Sequence, residues 1–95
     1  MYGTIVKMRT QPGKASELKA LMTNYEGLDV DGMKWLAMYQ SDSDPDEVWV
    51  AVAFDSEAQY KANAADPAQN ERHQRLSTLL AAEPEWHDGH IVATV

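Results

Sequence analysis

The chain has 95 residues, with eight lysines and arginines against fifteen aspartates and glutamates, three histidines and no cysteine. That length allows one domain, residues 1–95, without separate cofactor and substrate modules, and the missing cysteine removes disulfides, thiolate catalysis and cysteine-held zinc or iron–sulfur clusters. A net charge of −7 opposes the counterion release behind non-specific nucleic-acid binding, and the longest apolar run, Val48 to Phe54, falls far short of the ~20 residues of a membrane helix.

Tyr2 to Thr10 alternates, with Tyr2, Thr4, Val6 and Met8 on one side and Ile5, Lys7 and Arg9 on the other, and reads as a first strand. Lys7 and Arg9 also interrupt the opening before it reaches signal-peptide length, so an unexported, cytoplasmic chain is expected. After the break at Gln11-Pro12-Gly13, Leu18, Leu21, Met22 and Tyr25 repeat with helical spacing; this helix is expected from about Lys14 or Ala15 to Glu26, capped by Gly27.

Met33 to Gln40 reads as a second strand, with Met33, Trp35, Ala37 and Tyr39 on one face and Lys34, Leu36, Met38 and Gln40 on the other. Ser41 to Asp46 is turn chemistry, and Glu47 to Phe54 forms a third strand, completing a hairpin with an acidic loop. Asp55-Ser56 starts the next helix, where Ser56 and Gln59 match a capping box. Asp66-Pro67 interrupts it, giving helices over about 56–64 and 67–82, the second carrying Leu76, Leu79 and Leu80. His90 to Val95 is predicted as the fourth strand.

The order β-α-β-β-α-β, folded with right-handed crossovers, gives an α+β, ferredoxin-like antiparallel sheet with helices on one face. Two of its strands are apolar on both sides, yet no helix remains for the second face, so a partner's sheet is the expected cover. Of the 44% hydrophobic residues many are alanines, a thin core that points the same way.

On this element order, on the passage Val50-Ala51-Val52-Ala53-Phe54-Asp55-Ser56-Glu57-Ala58-Gln59-Tyr60, on the Asp66-Pro67 break and on His73 in the helix after it, the chain resembles the dimeric α+β barrel superfamily, and within it the small antibiotic-biosynthesis-monooxygenase-like proteins. The resemblance implies a homodimer with facing sheets and a small apolar pocket between sheet and helices in each protomer. It implies a cofactor-independent monooxygenase acting on an apolar or aromatic, quinol-like small molecule. Haem-degrading relatives place an asparagine on strand one, a tryptophan early in the second helical region and a histidine on the next helix. Here Val6 or a neighbour stands in place of the asparagine and Tyr60 roughly in place of the tryptophan, so that His73 alone matches, within about one residue. One match in three counts against haem, so no cofactor is expected; the alternative to catalysis is a non-catalytic dimer that sequesters a small ligand, with haem binding ranked below it.

His73 shares a helix face with Leu76 and Leu80, which turns its imidazole toward the sheet as a general base, a haem ligand or an ordinary core histidine. With the resemblance, His73 and Tyr60 become the candidate catalytic pair, and Trp35, Tyr39, Trp49, Phe54 and Arg72 the candidate substrate contacts. Aromatics equally serve cores and dimer interfaces, and Arg72 and Arg75 equally form a solvated helix face. Ala37, Ala51 and Ala53 leave room on a sheet face for a cavity. His87-Asp88-Gly89-His90 offers metal-type ligands but reads better as exposed turn residues leading into strand four, so no metal is expected. The acidic loop lacks the glycine and glutamate of a calcium loop and reads as a solvated hairpin tip.

Overall fold

Four antiparallel strands, in the sheet order Met33–Gln40, Glu47–Phe54, Tyr2–Arg9 and Glu85–His90, have the connectivity expected of a ferredoxin-like fold. The computed structural model describes residues 1–23 and 30–95. Its elements are β1 (Tyr2–Arg9), α1 (Ala15–Thr23), β2 (Met33–Gln40), β3 (Glu47–Phe54), α2 (Glu57–Ala64), α3 (Pro67–Ser77) and β4 (Glu85–His90). The expected end of the first helix at Glu26, its Gly27 cap and the Tyr25 position of its apolar stripe lie outside the described residues.

β1 sits at the centre because its alternation is the cleanest: Tyr2, Thr4, Val6 and Met8 are buried under the helices, while Ile5 and Arg9 on the other side are exposed. Val6, Met8, Val48 and Val50 pack against Leu18 and Met22 of α1, and Leu76 and Leu80 close the same cluster. The α2–α3 break is set by two caps. Ser56 Oγ accepts from the Gln59 amide at 3.2 Å and donates to Gln59 Oε1 at 3.1 Å, and Asp66 Oδ1 accepts from the Ala68 amide at 2.9 Å with Pro67 in the first turn.

Four expectations are corrected. The last helix ends at Ser77 rather than near residue 82, because Leu80 forms a bridge with Thr10 and the Ala81 amide donates to the Arg9 carbonyl at 2.8 Å. Leu79 and Leu80 extend the apolar periodicity, but the backbone has already turned toward the sheet. The fourth strand is Glu85–His90, not His90–Val95. Tyr2 pairs with His90 and Lys7 with Glu85, so β1 runs out where the β-branched segment begins, and register overrides strand propensity. Val92 is correspondingly exposed.

In β2 the pairing with β3 shifts between Met33, opposite Phe54, and Trp35, opposite Ala53. Lys34 is the extra residue of this bulge, and it turns Met33 to the face opposite Trp35, Ala37 and Tyr39 instead of leaving all four together. The acidic hairpin is also no mere solvated tip. Asp46 Oδ1 accepts from the Thr10 hydroxyl and the Gly13 amide, each at 3.3 Å, and the Arg9 guanidinium pairs with Asp44. Arg9 holds the Asp44 carboxyl below its ordinary value, chiefly through that hydrogen bond, so the loop's acids fasten the turn after β1.

On the sheet face away from the helices, Ile5 is 52% exposed, Trp35 42% and Tyr39 69%.

Candidate active site

Between the helix-side face of the sheet and α2–α3 lies a cavity of about 360 Å³, at the small end of the range for ligand pockets. Its floor is apolar and comes from alternate residues of neighbouring strands, Val6 and Met8 with Val50, Val52 and Phe54, while Met22 and Met33 line it from α1 and from the start of β2. The bulge at Lys34 brings Met33 there. The wall under α2 and α3 is mostly polar: Tyr60, Asn63, Gln69, Asn70 and His73. An apolar chamber with a few convergent polar groups along one wall is the arrangement that both desolvates and orients a small molecule.

His73 and Tyr60 both line this cavity. The His73 ring lies tilted against Trp86, with centroids 6.1 Å apart and 38° between planes. Trp86 faces the helices because it pairs with Val6 across β1 and β4. The Tyr60 ring is held edge-on by Tyr2 at 5.3 Å and by Phe54 at 5.6 Å. Its hydroxyl donates to Asp88 Oδ1 at 2.8 Å. Burial first, and then the bond to the Asp88 carboxylate, push the Tyr60 phenol up to about 12, against a smaller opposing effect of the Thr4 hydroxyl.

Of the candidate substrate contacts, Phe54 joins His73 and Tyr60 at the cavity. Trp35, Tyr39 and Trp49 lie across the sheet, since Trp35 pairs with Ala53 and Tyr39 with Trp49 on the face away from the helices; they do not line it. Ala37, Ala51 and Ala53 share that other face, so the room for a ligand is not made by them. Arg72 borders an adjoining polar hollow with Asp31, Gln59 and Asp66, and its Nε donates to the Ala68 carbonyl at 3.2 Å. The residues of the His87-Asp88-Gly89-His90 segment diverge: His87 sits 3.1 Å from Glu85 on the open face, Asp88 holds Tyr60, and His90 stacks edge-on against Tyr2 at 4.9 Å.

Thr4, Asn63, Gln69, Asn70 and Trp86 were not singled out from the sequence as site residues, and Asp88 was weighed only within a metal-type segment. Strand alternation placed Thr4 with Tyr2 and Val6, a usable signal, but the partnership of Asp88 with Tyr60 depends on the β1–β4 register.

The family model for antibiotic biosynthesis monooxygenase matches residues 1–75. The chain belongs to the antibiotic biosynthesis monooxygenase family. Among solved structures, it is similar to a Chloroflexus aurantiacus protein proposed to be such a monooxygenase, at 29% identity over 99% of this chain and 95% of that one, with a TM-score of 0.82. A Bordetella bronchiseptica protein given the same proposed activity is 17% identical, covers 97% of each chain and has a TM-score of 0.83. A conserved protein from Methanosarcina mazei is 20% identical over 93% of this chain and 89% of that one, with a TM-score of 0.79; at these last two identities the likeness is one of fold. No curated protein gives a significant match. Among the described residues, no helix of this family member is long and apolar enough to cross a membrane.

Proposed function

We propose that this family member is a cofactor-independent monooxygenase acting on a small apolar or aromatic, quinol-like molecule seated in the cavity. The observation that carries the reading is the position of His73 and Tyr60 on the polar wall of an otherwise apolar chamber. The chamber would strip water from the substrate, His73 would assist removal of a hydroxyl proton, and Tyr60 would orient an oxygen. The electron-rich ring anion then bonds to dioxygen, and the resulting peroxide takes up the abstracted proton. The C–H bond at that carbon breaks, its electron pair forms a ring carbonyl as the O–O bond cleaves, and the outer oxygen leaves as water, so the substrate itself supplies the two electrons. A volume of about 360 Å³ favours a ligand of one or two rings over a haem macrocycle, so we assign His73 to proton transfer rather than to iron.

Dioxygen uptake with a panel of quinols tests the reading. Turnover that disappears in His73→Ala supports it. Ligand binding without dioxygen uptake would replace it with a sequestering role.

We further propose that the protein is a homodimer whose copies meet through the sheet face bearing Ile5, Trp35 and Tyr39. Large apolar side chains this exposed on one face are costly to leave in water, and a second copy supplies the matching surface.

A further inference from the structure

Thr4 is 5% exposed and lines the cavity, and its hydroxyl makes no well-formed hydrogen bond among the described residues, although it comes near enough to the Tyr60 phenol to ease that group's ionisation. A buried hydroxyl is rarely left in that state, because nothing repays the water it gave up. A polar atom of whatever occupies the cavity, seated beside the Tyr60 oxygen, would complete the bonding of the Thr4 hydroxyl.

The surroundings of Thr4 extend this point outward. Thr4 and Asp88 are direct partners across β1 and β4, so their side chains leave the sheet on the same face. Tyr60 reaches over from α2 and commits its single phenolic proton to Asp88 Oδ1. The Tyr60 oxygen consequently has only lone pairs left to offer and is a pure acceptor toward the cavity. Asp88 itself is exposed, on an edge strand. A hydroxyl inside, a phenol at the wall and a carboxylate in water thus succeed one another from the chamber to solvent.

We infer that Thr4, Tyr60 and Asp88 form a proton exit from the cavity for a ligand that carries a hydroxyl group. The ligand O–H donates to Tyr60 Oη while the Thr4 hydroxyl steadies the same oxygen. The ligand's O–H bond breaks as a new O–H bond forms on Tyr60, and the phenolic proton of Tyr60 passes to Asp88, which releases it to water. The ligand is left as an oxyanion and Tyr60 stays neutral throughout. This rests on the proposed function, for which it supplies an outlet beside His73, and it makes Asp88 a positioning residue that acts through Tyr60.

The other titratable groups around Tyr60 are Tyr2 on β1, His90 stacked on Tyr2, His73 on the same cavity wall, and the Glu57–Lys61 pair on α2 itself. None of them receives the Tyr60 proton in the structure.

Two measurements test the inference. The first is the alkaline absorbance titration of Tyr60 in the native protein and in Asp88→Asn, with Tyr60→Phe subtracted to remove the other tyrosines. Loss of the neighbouring carboxylate should lower the Tyr60 midpoint by about one pH unit. The second is calorimetric binding of hydroquinone and of its dimethyl ether to the native protein and to Thr4→Val. The native protein should prefer hydroquinone by roughly tenfold, and Thr4→Val should lose most of that preference with an unchanged or raised melting temperature. An unmoved Tyr60 midpoint, or hydroquinone bound with no preference over its ether, overturns the proton exit alone. Failure of the native protein to bind hydroquinone at all overturns the proposed function, and the exit with it.

Discussion

Gly3 lies opposite Ala53 across β1 and β3, so close to the neighbouring strand that a Cβ on Gly3 would stand 1.8 Å from the Val52 carbonyl oxygen. The obstructing atom is backbone in the centre of the sheet and cannot swing aside. Gly3→Ala should therefore cost about 1–3 kcal/mol, the range for overpacking a well-filled interior. Gly89, the partner of Gly3 on β4, has open space where its Cβ would be, and Gly89→Ala should stay within about 0.5 kcal/mol of the native protein. Denaturant unfolding of the two variants makes the comparison; equal stabilities would disprove the crowding argument.

Leu18 is fully buried between α1 and the Val6–Val48–Val50 patch. Truncation removes apolar burial and leaves a hole that the surrounding strands cannot close, so Leu18→Ala should destabilise by about 2–5 kcal/mol. A chemical melt showing less than about 1 kcal/mol would mean that α1 is not fixed to the sheet as described.

The Tyr60 phenol provides an alkaline signature. Its ordinary value is 10.0 and its folded value is about 12, so the fold favours the neutral phenol. That contribution is fully present below pH 10 and is lost as pH rises through about 12. Partial exposure of the ring tempers its size. Between these limits the native protein should lose stability more steeply than Tyr60→Phe, which thermal melts across an alkaline pH series can show; parallel curves would contradict the shift.

On the acid side the Arg9–Asp44 pair acts in the opposite sense. With Asp44 held below its ordinary 3.8, its contribution is present above that value and disappears as pH falls through the lowered one. Asp44→Asn should differ from the native protein at neutral pH and converge with it in acid, and added salt should narrow the gap, as expected of an exposed pair. A difference independent of both pH and salt would mean the aspartate works by some other means.

Replacing Trp35 and Tyr39 together by serine should convert the proposed dimer into monomers without touching the cavity, because both side chains lie across the sheet from it. Native mass spectrometry reads the outcome. A dimer that persists would place the interface elsewhere.

The orientation of His73 was legible in the sequence from its helical spacing to Leu76, whereas Tyr60 entered through the family resemblance, and alternation grouped Phe54 with Val48, Val50 and Val52 without showing that this face lines the cavity. Trp35, Tyr39 and Trp49 were harder. Alternation says which residues share a face, but when both faces are apolar it does not say which face meets the helices. The fourth strand was misplaced because Ile91, Val92, Thr94 and Val95 have the stronger strand propensity, whereas Glu85 to His90 have the pairing partner. Non-local register also hid the approach of Asp88 to Thr4 and Tyr60, which are far from it in sequence.

With Lys34 between Met33 and Trp35, Met33 faces the cavity because β2 bulges at Lys34 in its pairing with β3. Removing that single residue would restore regular pairing, with Met33 still opposite Phe54 and Trp35 still opposite Ala53, so the methionine would keep its place in the chamber wall. The bulge therefore absorbs one residue of chain length while the set of side chains that faces the chamber stays the same.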